Sequence, residues 1–109
     1  MGARESLPFE VAEAVKALGQ RVRVARVRRQ LRQEELAQKC QVTRKTIASI
    51  EKGGPGIAVG TVVSVLWALG LLDSMKAVAN PDSDEHGKIL EAARLKQRVR
   101  TPAPVDNDF

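Results

Sequence analysis

Apolar side chains return at Val11, Val15, Leu18, Val22 and Ala25, a three- and four-residue spacing that lays one stripe along a helix. Pro8 stands ahead of the stripe, suited to a first helical turn because its missing N–H would have no partner there anyway. The pattern predicts a helix from Phe9 to about Arg29, with Gly19 as a point where it could divide in two. Leu36, Ala37 and Cys40 mark the inner side of a second helix over 33–39. Ile47 and Ile50 mark a third over 44–52, for which Thr43 is a good N-cap and which the Gly53-Gly54-Pro55-Gly56 run ends abruptly. Val59, Val62, Val65, Leu66 and Leu69 predict a fourth over 59–69, closed by Gly70 in a left-handed conformation. Residues 71–79 read as a short fifth, stopped at Asn80-Pro81. Further on, Asp82 to Glu85 resembles a helix start with carboxylates in its first turn. Ile89, Leu90, Ala93 and Leu95 supply only a thin apolar stripe, and residues 101–109 have no means of burying themselves. The expected fold class is all-α: a five-helix domain over 1–80 with an N-terminal helical extension, then a weakly helical to disordered tail over 81–109.

Charge sharpens this picture. The 109 residues carry a formal net charge of +5. Residues 1–79 hold 13 Lys/Arg against 7 Asp/Glu and residues 80–109 hold 5 against 6, so the predicted domain is the basic part. A small basic domain suggests a polyanionic partner. A membrane is the weaker choice, because no apolar run approaches the roughly 18 residues of a spanning helix and the most basic segment has no aromatic face. The first ten residues have no apolar signal-peptide core, which makes the cytoplasm the expected location. One Cys and one His offer neither an internal disulfide nor a structural zinc site, and no cofactor is expected.

Two short helices around a break at Cys40-Gln41-Val42, the second loaded with Thr43, Arg44, Lys45, Thr46 and Ser49, bring in a known pattern. Gln33, Glu35-Leu36-Ala37, Val42, Ile47, Ile50 and Glu51, followed by the Trp67-Ala68-Leu69-Gly70 ending, closely resemble the phage repressor and Cro type of helix-turn-helix domain, the XRE family, over residues 18–69. The residues themselves agree. A helix in the major groove must show polar groups to base edges while its other face packs on a supporting helix. Ile47 and Ile50 face inward, which leaves Arg44, Lys45 and Ser49 to face out.

The resemblance implies roles one residue at a time. Gln33, at the start of the supporting helix, takes the place of a phosphate-contacting glutamine. Thr43 takes that of a cap that also touches phosphate. Arg44 and Lys45 hold base-reading positions, Arg44 being suited to the O6/N7 edge of guanine; a phosphate contact is the alternative for Lys45. Ser49 is placed to read a base or meet phosphate. Thr46 is ambiguous, with a methyl that could pack and a hydroxyl that could bind phosphate. Arg26 and Glu51 match a partly buried ion pair tying the first helix to the reading helix. Arg21, Arg23, Arg28, Arg29 and Arg32 add a run of cations that could attract phosphate or simply form a solvated face. Two departures stand out. Gln30 occupies a turn position where the family usually has Gly, which a side chain can take only with some strain. Arg32 replaces the usual Ser or Thr cap, exchanging a hydroxyl for a phosphate contact.

Trp67 is the sole tryptophan, and the periodicity of the fourth helix turns it outward, near Val63. Cover by a neighbouring helix is one explanation. The other is a homodimer interface of Trp67, Val63, Leu72 and Met75, since aromatics are enriched at interfaces and the family usually binds two half-sites. No phosphate-binding loop, carboxylate pair or Cys/His arrangement suggests an enzyme. The expected function is a sequence-specific regulator of transcription, a repressor, on double-stranded DNA. The alternative is an antitoxin, because the chain also loosely resembles the HipB-like antitoxins that bind a kinase-type toxin protein while repressing their own operon.

Overall fold

The computed structural model describes residues 7–100. All regular structure among them is helical: α1 (Phe9–Arg28), α2 (Gln33–Cys40), α3 (Arg44–Glu51), α4 (Val59–Ala68), 3-10 helices at Leu72–Ala77 and Pro81–Ser83, and α5 (Glu85–Arg100). The chain divides into two compact units after Met75.

The first unit is built on a small core. Val22 and Ala25 enter it from α1, Leu36 and Ala37 from α2, Ile47 and Ile50 from α3, and Val65, Leu66 and Leu69 from the end of α4. Leu36, Ile47 and Val65 have no exposed surface, and burying side chains of this size contributes about 1.5–3 kcal/mol each. Leu31, Val42, Ile57 and Leu71, all from connecting turns, close the margins. The Cys40 thiol lies 3.8 Å from the Ser64 carbonyl oxygen and helps join α2 to α4, and burial raises its pKa above the usual thiol value.

Gly19 does not divide α1, which runs unbroken through it. The glycine is buried because α1 crosses the end of α3 there, and a Cβ would collide with the carbonyl oxygen of Ile50. Close approach, rather than a break, is what this glycine provides. The predicted stripe of α1 is covered only in its second half. Val22 and Ala25 are buried, Val15 is half-buried, and Val11 and Leu18 are exposed. Val59 likewise departs from the expected inner face of α4 and is 73% exposed, because it opens the helix ahead of the turn that meets the core.

Gly70 closes α4 as expected, with φ 77° and Leu71 N–H donating to the Leu66 carbonyl at 2.7 Å. The short fifth helix is a 3-10 segment, Leu72–Ala77, rather than an α-helix.

In the second unit the Asn80 side chain caps the 3-10 turn at Pro81–Ser83 by accepting from Asp82 N–H at 2.9 Å. Asp84 then caps α5, its carboxylate accepting from Gly87 N–H at 2.9 Å. The helix start expected at Asp82 to Glu85 is present: residues 85–100 form one continuous helix, favoured by carboxylates at its start and by Arg94, Lys96 and Arg98 towards its end, where each sign suits the helix dipole. Ile89, Leu90 and Leu95 on α5 are half or more exposed. The expectation of disorder over 101–109 lies outside the described residues.

Candidate nucleic-acid interface

Three residues, Gln41 to Thr43, separate α2 from α3. Gln41 takes the left-handed conformation, φ 59°, and Val42 N–H donates to the Ala37 carbonyl at 3.0 Å, so the chain reverses without losing its end bonds. Thr43 then starts α3 in an extended conformation. Its Oγ1 accepts from Thr46 N–H at 3.2 Å, and the two threonine hydroxyls lie 3.0 Å apart. The capping role predicted for Thr43 is present, and Thr46 spends its hydroxyl on Thr43 while its side chain is half-buried. Ile47, Ile50 and Glu51 point into the domain, whereas Arg44 and Lys45 are exposed. Ser49 is half-buried against Gly54, whose N–H donates to the Ser49 carbonyl at 2.8 Å. The first turn of α3 holds no acid, so the exposed N–H groups and two cations make this end positive.

Behind this end lies a chain of polar contacts. Glu51, 5% exposed, accepts from Arg26 Nε at 2.6 Å and Nη2 at 3.0 Å, a two-pronged ion pair between α1 and α3. Arg26 Nη1 also donates to the Leu31 carbonyl at 2.8 Å and so holds the turn between α1 and α2. That turn contains Gln30 at φ 56°, the left-handed conformation expected where a glycine would be easier. Glu51 Oε1 takes a further bond from Gln33 Nε2 at 3.1 Å, and Gln33 Oε1 accepts from Arg44 Nη1 at 2.8 Å. Burial pushes the Glu51 carboxyl up, but the hydrogen bonds from Arg26 and Gln33 and the charges of Arg26 and Arg23 outweigh it, leaving its pKa below the ordinary value. The bond to Glu51 correspondingly raises the pKa of Arg26.

Arg32 begins α2 without the hydroxyl cap usual in such domains. Instead its backbone N–H donates to Glu35 Oε1 at 2.8 Å, and that bond lowers the Glu35 pKa. Its exposed guanidinium lies 3.5 Å from Glu35 and 3.9 Å from Glu34. With Arg26, Gln33, Glu34 and Arg44 it lines an open notch between the starts of α2 and α3. Arg21, Arg23, Arg28 and Arg29 are exposed along α1, and Arg29 Nη1 donates to the Ala25 carbonyl at 2.8 Å.

A family model described as a helix-turn-helix domain matches residues 17–78. The chain belongs to this family. The family sits in the XRE-like group of helix-turn-helix domains, as the resemblance of residues 18–69 implied. No curated protein and no solved structure matches the chain. Membership makes the α2–turn–α3 pair the helix-turn-helix of a DNA-binding domain.

Apart from Ser49, which is half-buried rather than turned outward, the sequence-predicted residues of the helix-turn-helix fall into two groups. Arg26, Gln33, Glu51 and Arg44 are joined in one network, while Thr43, Lys45, Thr46 and Arg32 lie around its outer edge. The link from Glu51 through Gln33 to Arg44 is invisible in a linear pattern, because it joins the first residues of two helices to the last residue of the second. Away from this site, Trp67 is 60% exposed rather than covered, Leu72 is exposed and Val63 is half-buried. Met75 is half-buried against the core and is part of its margin. Val59, unforeseen as an outer residue, extends the stripe of Val63 and Trp67 by one turn.

Among the described residues no helix is long and apolar enough to cross a membrane.

Proposed function

We propose that the chain is a sequence-specific regulator of transcription that binds double-stranded DNA as a homodimer, each copy laying α3 in the major groove. It acts as a cytoplasmic repressor and by binding rather than catalysis. The observation that carries the reading is the polarity of α3: one side closed by Ile47 and Ile50, the other opening on Arg44 and Lys45 beside a threonine-capped, acid-free N-terminus. Arg44 reads guanine through its acceptor edge, and Lys45 and Ser49 complete the contacts to bases. Gln33, Thr43, Thr46 and Arg32 meet the flanking phosphates.

A homodimer is supported by α4, which has no charged residue over its length yet leaves Val59 and Trp67 exposed, with Leu72 just beyond it. Such a stripe away from α3 suits a two-fold contact that sets two reading helices about 34 Å apart. Footprinting of the purified protein on the DNA upstream of its own gene tests the proposal. A protected pair of half-sites about one helical turn apart is the expected result; protection that does not depend on sequence would sink it.

A second reading has one observation in its favour. The exposed Ile89, Leu90 and Leu95 of α5 offer an apolar surface to a partner protein, as an antitoxin holding a kinase-type toxin requires. The two roles are compatible in one chain.

A further inference from the structure

The contacts behind α3 have a direction. Glu51 is ionised, so its oxygens only accept, and Arg44 carries only donors. Gln33 stands between them with one NH2 and one carbonyl on the same amide. Only one orientation satisfies both neighbours: Nε2 turned inward to Glu51 Oε1 at 3.1 Å, and Oε1 turned outward to Arg44 Nη1 at 2.8 Å. A flipped amide would set a carbonyl against a carboxylate and an NH2 against a guanidinium, losing two hydrogen bonds to charged groups and creating two repulsive contacts. Glu51 is itself held by both prongs of Arg26 and is nearly closed off from solvent, so it cannot turn to accommodate a flip.

We infer that Glu51 is a positioning residue for DNA reading: through the fixed amide of Gln33 it presents an acceptor to position 44, which both selects a donor side chain there and holds the Arg44 guanidinium in place before DNA arrives. The bond to Gln33 uses one of the five N–H donors of Arg44 and leaves its fork free for a bidentate contact. A long side chain at the exposed start of a helix otherwise loses rotamer entropy on binding, and a held one loses less. The carboxylate that joins α1 to α3 inside the domain thus also sets which base pair is preferred outside it. This rests on the assignment of Arg44 to base reading.

The test uses the full chain and a library of duplexes with a randomised core. The wild-type protein selects a site, and the base pair whose preference disappears in Arg44→Met is the one Arg44 reads. The measured quantity is the ratio of affinities for the selected site and for the same site changed at that base pair, in which any uniform phosphate contribution of Gln33 cancels. Gln33→Met is expected to lower this ratio at least fivefold, and the Gln33→Met/Arg44→Met double variant to be no less selective than Arg44→Met alone. Glu51→Gln, which keeps the shape and lets the amide turn either way, is expected to lower the ratio as well. If Glu51→Gln does not fold, the Gln33 cycle alone decides. A full ratio in Gln33→Met, or losses that add in the double variant, overturns the inference and leaves Gln33 a phosphate contact. Failure of the wild-type protein to enrich any sequence removes the proposed function itself, and this inference with it.

Discussion

Replacing Glu51 by Ala removes a carboxylate that is 5% exposed and accepts three hydrogen bonds, from Arg26 Nε, Arg26 Nη2 and Gln33 Nε2. What remains is worse than a lost contact. The Arg26 side chain, 12% exposed, keeps its charge and its bond to the Leu31 carbonyl but has no counter-ion. Breaking one partner of a buried pair in this way costs about 3–5 kcal/mol. At roughly 0.05–0.15 kcal/mol per residue, that is a large fraction of the roughly 4–11 kcal/mol expected of a unit of this size. A loss of about 3 kcal/mol would lower the Tm of a small domain by at least about 12 °C. Glu35 is the control: its carboxylate also receives a hydrogen bond and also has a lowered pKa, but it acts at a solvated helix start. Thermal unfolding by circular dichroism should therefore place Glu51→Ala far below Glu35→Ala, with Glu35→Ala close to wild type. Equal Tm values for the two variants would mean that the Arg26–Glu51 pair is not the buried tie between α1 and α3.

The helix-turn-helix was legible because its signals are local. Thr43 is followed by a threonine whose N–H it can cap, Ile47 and Ile50 lie three apart, and Gln33 and Glu51 stand at recognisable offsets from Leu36-Ala37. The Arg26–Glu51 pair was legible only through the resemblance, since 25 residues separate the partners and spacing alone does not join them. What escaped depends on tertiary context. Gly19 reads as a helix breaker, and only the carbonyl of Ile50 lying across α1 shows why a residue without Cβ is wanted. Val11, Leu18 and Val59 share the period of truly buried residues, but periodicity says which side of a helix is apolar and not how far the neighbouring element reaches along it. The helix over 85–100 was legible from the carboxylates at its start rather than from its thin apolar stripe, because capping by Asp84 and charges matched to the dipole act within the helix itself. The bridge through Gln33 was not legible, because its meaning lies in the direction of an amide.

Arg44→Ala should cost about 1–3 kcal/mol on the selected DNA site and relax preference at one base pair, while binding to random duplex changes little; equal losses in a gel-shift titration on both DNAs would assign Arg44 to phosphate. Acid should unfold the protein partly through Glu51. Its folded pKa lies below its unfolded value of about 4.3, so its contribution is whole above that value and is lost as pH falls through the lower, folded pKa. Denaturant titrations from pH 7 downward should show that loss in the wild type and a flatter acid limb in Glu51→Gln, and superimposable limbs would exclude this carboxylate. The last prediction concerns assembly. A single copy reading one half-site has few base contacts, so useful selectivity requires two copies joined by a surface away from α3. The surface proposed for this is the stripe of Val59, Val63 and Trp67, with Leu72 beside it, and Trp67 offers the largest exposed apolar side chain in it. Trp67→Ala should leave the Tm of the monomer nearly unchanged, because the ring is 60% exposed, yet shift sedimentation at micromolar concentration from dimer to monomer and weaken DNA binding. A chain ending at Asn80 retains α1 to α4 and should remain dimeric and bind DNA as the full chain does. A dimeric Trp67→Ala protein, or a monomeric truncated chain, would place the interface on the second unit instead of on α4.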